Sequence, residues 1–227
     1  PTVYVLQSYI NGEWPPLQFK SWLQAGRVLR NLARAHVAAF DVIKRAQPDA
    51  QVGFAHNALW MEPCDPGRLL DRMAARIRDI VFNRVFFGLI GLSAGGVARR
   101  KLDFVGLNYY TRCCVRFEKG GLSALLGRSC KLDHHEHAGA RSLMGWEIYP
   151  RGLAGVLQRY SRMGLPLFIT ENGIATEDDE LRCRFLREHV EVLAIAVVIL
   201  DLAKGPQVSG IDDHLEGLKA TGQRYGQ

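Results

Sequence analysis

A chain of 227 residues, 48% apolar and 23% charged, has the size and make-up of one large folded domain or two small ones. Its net charge of +6 comes from basic residues spread along the chain rather than gathered in runs, which argues against a nucleic-acid partner. Five cysteines without metal-ligand or disulfide-framework spacing point to a reducing compartment, and the apolar run 192–200 is far short of the roughly 20 residues of a membrane span.

In chain order, residues 1–5 lack the basic and apolar regions of a signal peptide, so a soluble, cytoplasmic protein is expected. Residues 1–20 read as a long loop, with Asn11-Gly12 and Pro15-Pro16 as turn markers. From Ser21, a suitable N-cap, the positions Val28, Leu29, Leu32, Ala35, Ala39 and Ile43 recur at helical spacing until Pro48. Residues 51–56 read as a short strand. Helical spacing returns from Arg68 to about Phe87 through Leu69, Met73, Ile77, Ile80 and Val81. Residues 89–96 read as a glycine-containing loop; they follow no strand, so they are not a nucleotide fingerprint. A strand is expected over 102–110, then an irregular stretch to Met144. Pro150 suits the first turn of a helix reaching Met163. The run 165–173 then reads as a buried strand carrying Glu171 at its tip. Thr176-Glu177-Asp178-Asp179 has the form of a capping box for a helix to about Lys204, which Gly205-Pro206 stops. Beyond it lie a weak strand near Val208 and a degenerate tail over 205–227.

This alternation of helix and strand means a parallel sheet with helical crossovers, an α/β fold, in a single domain over 1–227. Sites in such folds gather at the carboxyl ends of strands. Three ends supply candidates: His56 and Asn57 with Trp60 close behind, then Asn108, Tyr109 and Tyr110, then Glu171 and Asn172. Alternation places Asn108 and Tyr110 on one face and Tyr109 on the other. Amide, phenol, indole and carboxylate together suit a sugar, with polar groups for hydroxyls and aromatic faces for the ring. Each also has a plainer reading. Tyr109 and Trp60 fit a core, and a glutamate can simply mark where a strand meets water. His134-His135-Glu136-His137 does not match a helical zinc motif and reads as a solvated loop. Cys113-Cys114 reads as inert, and His36, inside a helical pattern, as structural.

Four stretches carry a family resemblance. Ile169-Thr170-Glu171-Asn172-Gly173 resembles the nucleophile signature of the family 1 glycoside hydrolases, the retaining β-glucosidases and β-galactosidases. Residues 103–110, Asp103 to Tyr110, resemble that family's next most recognisable strand. Gly145-Trp146-Glu147-Ile148-Tyr149-Pro150 resembles the segment leading into the helix before the nucleophile, and residues 1–16 are similar to the loop after the acid/base strand. The resemblance implies a (β/α)8 barrel, a β-glycoside substrate and no cofactor. It implies Glu171 as the nucleophile, Tyr110 as its hydrogen-bond donor, Asn108 as part of the frame, Trp146 as an aglycone platform and Asn57 in the same cleft.

The departures shape the expectation too. Retaining hydrolysis uses two carboxyl groups about 5–5.5 Å apart, and the family's acid/base glutamate lies in an Asn-Glu-Pro motif of which Pro1 would be the proline. Residues 208–219 resemble an eroded last strand, with no tryptophan after Trp146. The expected architecture is therefore a partial barrel lacking the first strands. Such a sheet leaves edges and apolar helix faces open, so a homo-oligomer or a complementing barrel half is expected, and weak activity of the chain by itself. A barrel fragment that binds carbohydrate without turnover is the alternative.

Overall fold

The computed structural model describes residues 1–120, 126–130 and 139–202, the side chains of 98–99 and 198–202 excepted. The weak strand near Val208, the 205–227 tail and the His134–His137 cluster lie outside the described residues.

Six helices and six strands are described: α1 (Thr2–Val5), α2 (Trp22–Ala46), β1 (Gly53–Asn57), β2 (Trp60–Pro63), α3 (Leu69–Asp79), α4 (Val85–Ser93), β3 (Phe104–Asn108), β4 (Arg112–Arg116), β5 (Arg128–Ser129), α5 (Pro150–Ser161), β6 (Leu167–Glu171) and α6 (Asp179–Leu202). β3 lies between β1 and β6 in a parallel three-stranded sheet, as the alternation of helix and strand predicts. Its outer face carries Val105, Leu107 and Tyr109, all fully buried against Leu153, Val156, Leu157 and Tyr160 of α5 and Val192 and Ala196 of α6. The helix packs closely here. A Cβ on Gly152 would stand 2.1 Å from the Tyr109 hydroxyl, and one on Gly155 would stand 2.4 Å from the Trp60 ring. Glycine at both positions is what lets α5 approach the sheet.

Three sequence expectations change. The segment 1–20 is not all loop: α1 runs into a π-helical turn over Leu6–Ile10, because Val5 buries itself against Ala25 and Leu29 of α2 and Phe86 of α4. Elements this short have no periodicity to read. Residues 89–96 are not all loop either, since α4 extends to Ser93 and buries Phe86, Phe87 and Ile90 despite Gly88 and Gly91. Tertiary packing overrides the local glycine signal. Finally, the helix expected from Arg68 to Phe87 is broken by a π turn at Ile80–Arg84. The extra residue turns Asn83 inward, where its side chain bonds both backbone groups of Leu59 and the carboxylate of Asp79.

A second sheet escapes the sequence reading altogether. β2 pairs in parallel with β4, which pairs antiparallel with β5. Met61 of β2 and Val115 of β4 pack against Ala74 and Ala75 of α3 and Phe82 of the π turn. Ends of helices also differ in detail. Ser21 makes no side-chain cap, whereas Asp178 caps α6 by accepting from the backbone N–H groups of Glu180 and Leu181. Thr176 instead accepts from the Asp178 N–H. Among the described residues no helix is long and apolar enough to cross a membrane.

His56 is the one wholly buried titratable group of β1. It sits among the rings of Phe54, Phe87 and Tyr160, and neither ring nitrogen has a partner among the described residues. Burial pushes its pKa down from 6.5 to about 4. The folded state therefore holds the neutral ring while the unfolded chain takes up a proton below pH 6.5. Stability is full above pH 6.5 and falls as pH drops toward 4, by about 3 kcal/mol for the whole shift. Urea melts at pH 7 and pH 4 should show this loss, and His56→Leu should reduce it sharply. A smaller slope of the same sign should remain from His189, also buried and lowered by burial.

Candidate active site

The site forms where the carboxyl ends of β1, β3 and β6 meet. Burial of Val105, Leu107 and Tyr109 on the outer face leaves Gly106, Asn108 and Tyr110 for the inner one. Gly106 is required there: a Cβ would meet the Thr170 side chain at 2.9 Å and the Phe54 carbonyl at 3.1 Å. The register of β3 against β6 then slips. Leu107 pairs with Ile169, but Asn108 pairs with Glu171, so Thr170 is an extra residue on β6. Bulges of this kind re-aim the following side chain. Thr170 turns inward and donates to Asn108 Oδ1 at 2.6 Å, while the Tyr110 hydroxyl donates to Glu171 Oε2. Backbone pairing carries on beyond the bulge, with the Tyr109 N–H donating to the Glu171 carbonyl at 2.9 Å and Asn172 Nδ2 to the Tyr109 carbonyl at 2.8 Å.

Glu171 is exposed and Tyr110 half-buried. Burial first, then the hydrogen bond and charge of Glu171, push the Tyr110 phenol up to about 12. Asn57, Asn108, Tyr110 and Glu171 line one cavity of about 230 Å³ together with Pro1 and Thr2. A larger cavity of about 420 Å³ shares Asn57 and Tyr110 and adds Trp146, Arg112 and Glu147. The Trp146 ring lies 5.5 Å from the Tyr110 ring, centroid to centroid. The five residues singled out from sequence thus surround two adjoining cavities. Asn57 faces both, and its Oδ1 is buried with no partner among the described residues.

The other candidates separate from the site. His56 faces the helices, and Trp60 packs over α5 with its Nε1 donating to Glu62 at 2.7 Å. Tyr109 is core, its hydroxyl donating to the Tyr149 carbonyl at 2.6 Å. His36 is bonded to the Lys101 carbonyl. Burial pushes the Cys114 thiol up to about 12, which suits an inert thiol. Among the described residues no group of three or more His, Cys, Asp or Glu side chains converges as metal ligands do.

One component of the site has no counterpart in the sequence reading. Arg112, at the start of β4, forks onto Glu147 through Nε at 2.6 Å and Nη2 at 2.9 Å, and its Nη1 bonds Glu62 at 2.7 Å. Its signal lay close at hand, two residues after Tyr110 and facing the residue after Trp146. Its partners, however, are 35 and 50 positions away.

The family model for glycosyl hydrolase family 1 matches residues 1–96 and 96–227. A β-galactosidase of Sulfolobus acidocaldarius is 32% identical over 173 residues, 70% of this chain and 34% of that protein. A chloroplastic galactolipid galactosyltransferase of Arabidopsis thaliana is 30% identical across all of this chain and 35% of its own length. The solved β-glycosidase of Pyrococcus horikoshii superposes with a TM-score of 0.74 at 33% identity, covering 87% of this chain and 46% of that one. The chain thus spans about a third of these curated relatives and about half of the solved structure.

Glu171→Gln removes a charge and weakens a hydrogen bond while leaving burial in place. The Tyr110 phenol should then titrate below about 12 but above the ordinary 10. A pH titration of tyrosinate absorbance checks this, with Tyr110→Phe identifying the band.

Proposed function

The chain belongs to glycosyl hydrolase family 1, and from that premise we propose that it carries the nucleophile side of a retaining β-glycosidase site. The observation that carries this reading is the hydrogen bond from Tyr110 to Glu171 at the mouth of the parallel sheet. A retaining enzyme needs a carboxylate held still with one oxygen presented to the sugar. Tyr110 engages Oε2, and Oε1 is the attacking atom. It forms a bond to the anomeric carbon as the bond from that carbon to the leaving oxygen breaks. Water then attacks the same carbon, losing a proton to the base, and Glu171 departs as a carboxylate. Asn57 and Asn108 supply amide groups for sugar hydroxyls, and Trp146 offers a ring face to the leaving group.

The acid/base carboxyl is the component this reading must place. Among the described residues, Glu171 is the only carboxylate lining the smaller cavity. Pro1 stands in the wall of that same cavity, which supports a second carboxylate entering beside Pro1, where the Asn-Glu-Pro resemblance puts it. General acid assistance is typically worth 10²–10⁴-fold, so without that second carboxyl unactivated glycosides should be cleaved poorly. The three-stranded parallel sheet supports a further part of the reading, that its edges are covered by a complementing barrel half or a second copy. A fragment that binds sugar without turnover is the second reading, favoured by Glu171 being the lone carboxylate of the cavity among the described residues.

An aryl 2-deoxy-2-fluoroglycoside separates the two, because its good leaving group needs little protonation. The expected outcome is stoichiometric addition of the fluorosugar to Glu171 by peptide mass spectrometry, abolished in Glu171→Gln. Stabilisation by sugar without any adduct, unchanged by that substitution, would establish the binding module instead.

A further inference from the structure

We propose that Arg112 is a positioning residue, whose fork on Glu147 sets where Tyr110 and Trp146 stand around Glu171; this rests on the reading of Glu171 as the nucleophile. The geometry is a clamp between two chain segments. One is the end of β3 running into β4, which holds Tyr110, Thr111 and Arg112. The other is the 139–149 segment, which holds Trp146 and Glu147. Arg112 joins them by two parallel bonds to one carboxylate, and Thr111 Oγ1 adds a third by donating to the Glu147 carbonyl at 2.8 Å. Glu147 Oε1 also accepts from the Gly139 N–H at 2.8 Å, so the carboxylate pins its own segment as well. Both partners are shielded, with the Glu147 side chain 1% exposed and that of Arg112 11%.

The clamp acts at short range. Tyr110 is two residues from Arg112, and Trp146 is bonded directly to Glu147 in sequence. Each of the two site rings therefore hangs from one jaw, and their 5.5 Å separation is fixed by the jaws being closed. The guanidinium also lies 4.1 Å over the Tyr149 ring and bonds Glu62, whose Oε1 accepts from the Tyr149 hydroxyl at 3.1 Å. A planar fork that is stacked and bidentate is a task lysine cannot take over. Shifts on the order of 1 Å in positioning groups can cost up to about 100-fold in rate.

The test is the kinetics of adduct formation with the aryl 2-deoxy-2-fluoroglycoside, split into the inactivator's dissociation constant and the first-order rate of labelling. Arg112→Lys keeps the charge and loses the fork; Glu147→Gln keeps the shape and loses the charge. Both should slow labelling roughly 10- to 100-fold while the dissociation constant moves less than about threefold. Lys44→Met is the control, since it breaks a half-buried pair with Asp103 at the opposite end of the sheet, and it should lower the melting temperature without slowing labelling. Thermal melts identify any variant that fails to fold, and either of the two clamp variants suffices. Folded Arg112→Lys or Glu147→Gln labelled at the parent rate would overturn the inference and leave the nucleophile reading standing. So would a slowing in Lys44→Met equal to theirs, because general loosening would then explain it. A parent chain that takes no label at all would remove both.

Discussion

Val105, Leu107 and Tyr109 are wholly buried, and since neighbours on an extended chain face opposite ways, their burial obliges Gly106, Asn108 and Tyr110 to face the other side. That single constraint orders the molecule. The outer set gives α5 and α6 a surface to cover, and it places β3 between β1 and β6 with hydrogen bonds on both edges. The inner set narrows from aromatic at Phe104 to nothing at Gly106 and becomes polar at Asn108. Polar groups can collect at that end because, beyond the Phe104–Phe168 ring contact, the apolar burial that holds the strand lies on its other face. Tyr109 shows how firmly the facing is set: its hydroxyl is satisfied inside the core by the Tyr149 carbonyl, so the residue has no reason to turn outward.

Alternation alone would not bring Glu171 to Tyr110. In an unbroken register, Thr170 would stand opposite Asn108, and Glu171 would point toward the helices, where an ionised carboxylate is costly to bury. The slip between Leu107 and Asn108 removes that conflict by giving β6 one extra residue. Thr170 fills the inner space that Gly106 leaves open, and Glu171 arrives at the phenol. The missing side chain on β3 and the extra residue on β6 are therefore one device. A β-carbon at position 106 would collide with the threonine that makes the bulge possible.

How far the chain could be read before its structure follows from the same physics. β1, β3 and β6 were legible because strands buried on one face by helices are apolar and bounded by turn residues, and Asn108, Tyr110 and Glu171 were legible as their polar tips. β2 and β4 were not. Trp60-Met61-Glu62-Pro63 carries a charge and a proline, and Arg112-Cys113-Cys114-Val115-Arg116 has an arginine at each end, so neither shows an apolar period. Glu62 and Arg112 gave no local sign of pairing, because they stand 50 positions apart in sequence. The slip in register was invisible for a different reason: nothing in Phe168-Ile169-Thr170-Glu171 distinguishes a bulged strand from a straight one until Gly106 is placed beside it. The family resemblance reached Glu171 and Tyr110 by pattern, where local chemistry could offer only a carboxylate at a strand tip.

The sheet and the loops above it are held by different forces, and the difference bears on what each is for. The sheet stands on apolar burial, which is large in total and indifferent to small shifts in direction. Loops at strand ends have no such surface to hide. Here one guanidinium ties the 139–149 segment, through Glu147, to two strands of the second sheet: β2 through Glu62 and the start of β4 through its own backbone. Removing one partner of such a shielded group costs about 3–5 kcal/mol, yet exchanging the whole group for well-packed apolar residues can cost nothing. Net stability is therefore a poor reason for its presence. Direction is a better one, because two parallel bonds to one carboxylate fix an orientation that apolar contacts leave loose. Residues whose task is only to stay folded can be held by oil. Residues that must meet a carboxylate within a fraction of an ångström need a fork, and in this chain the fork stands two residues from Tyr110.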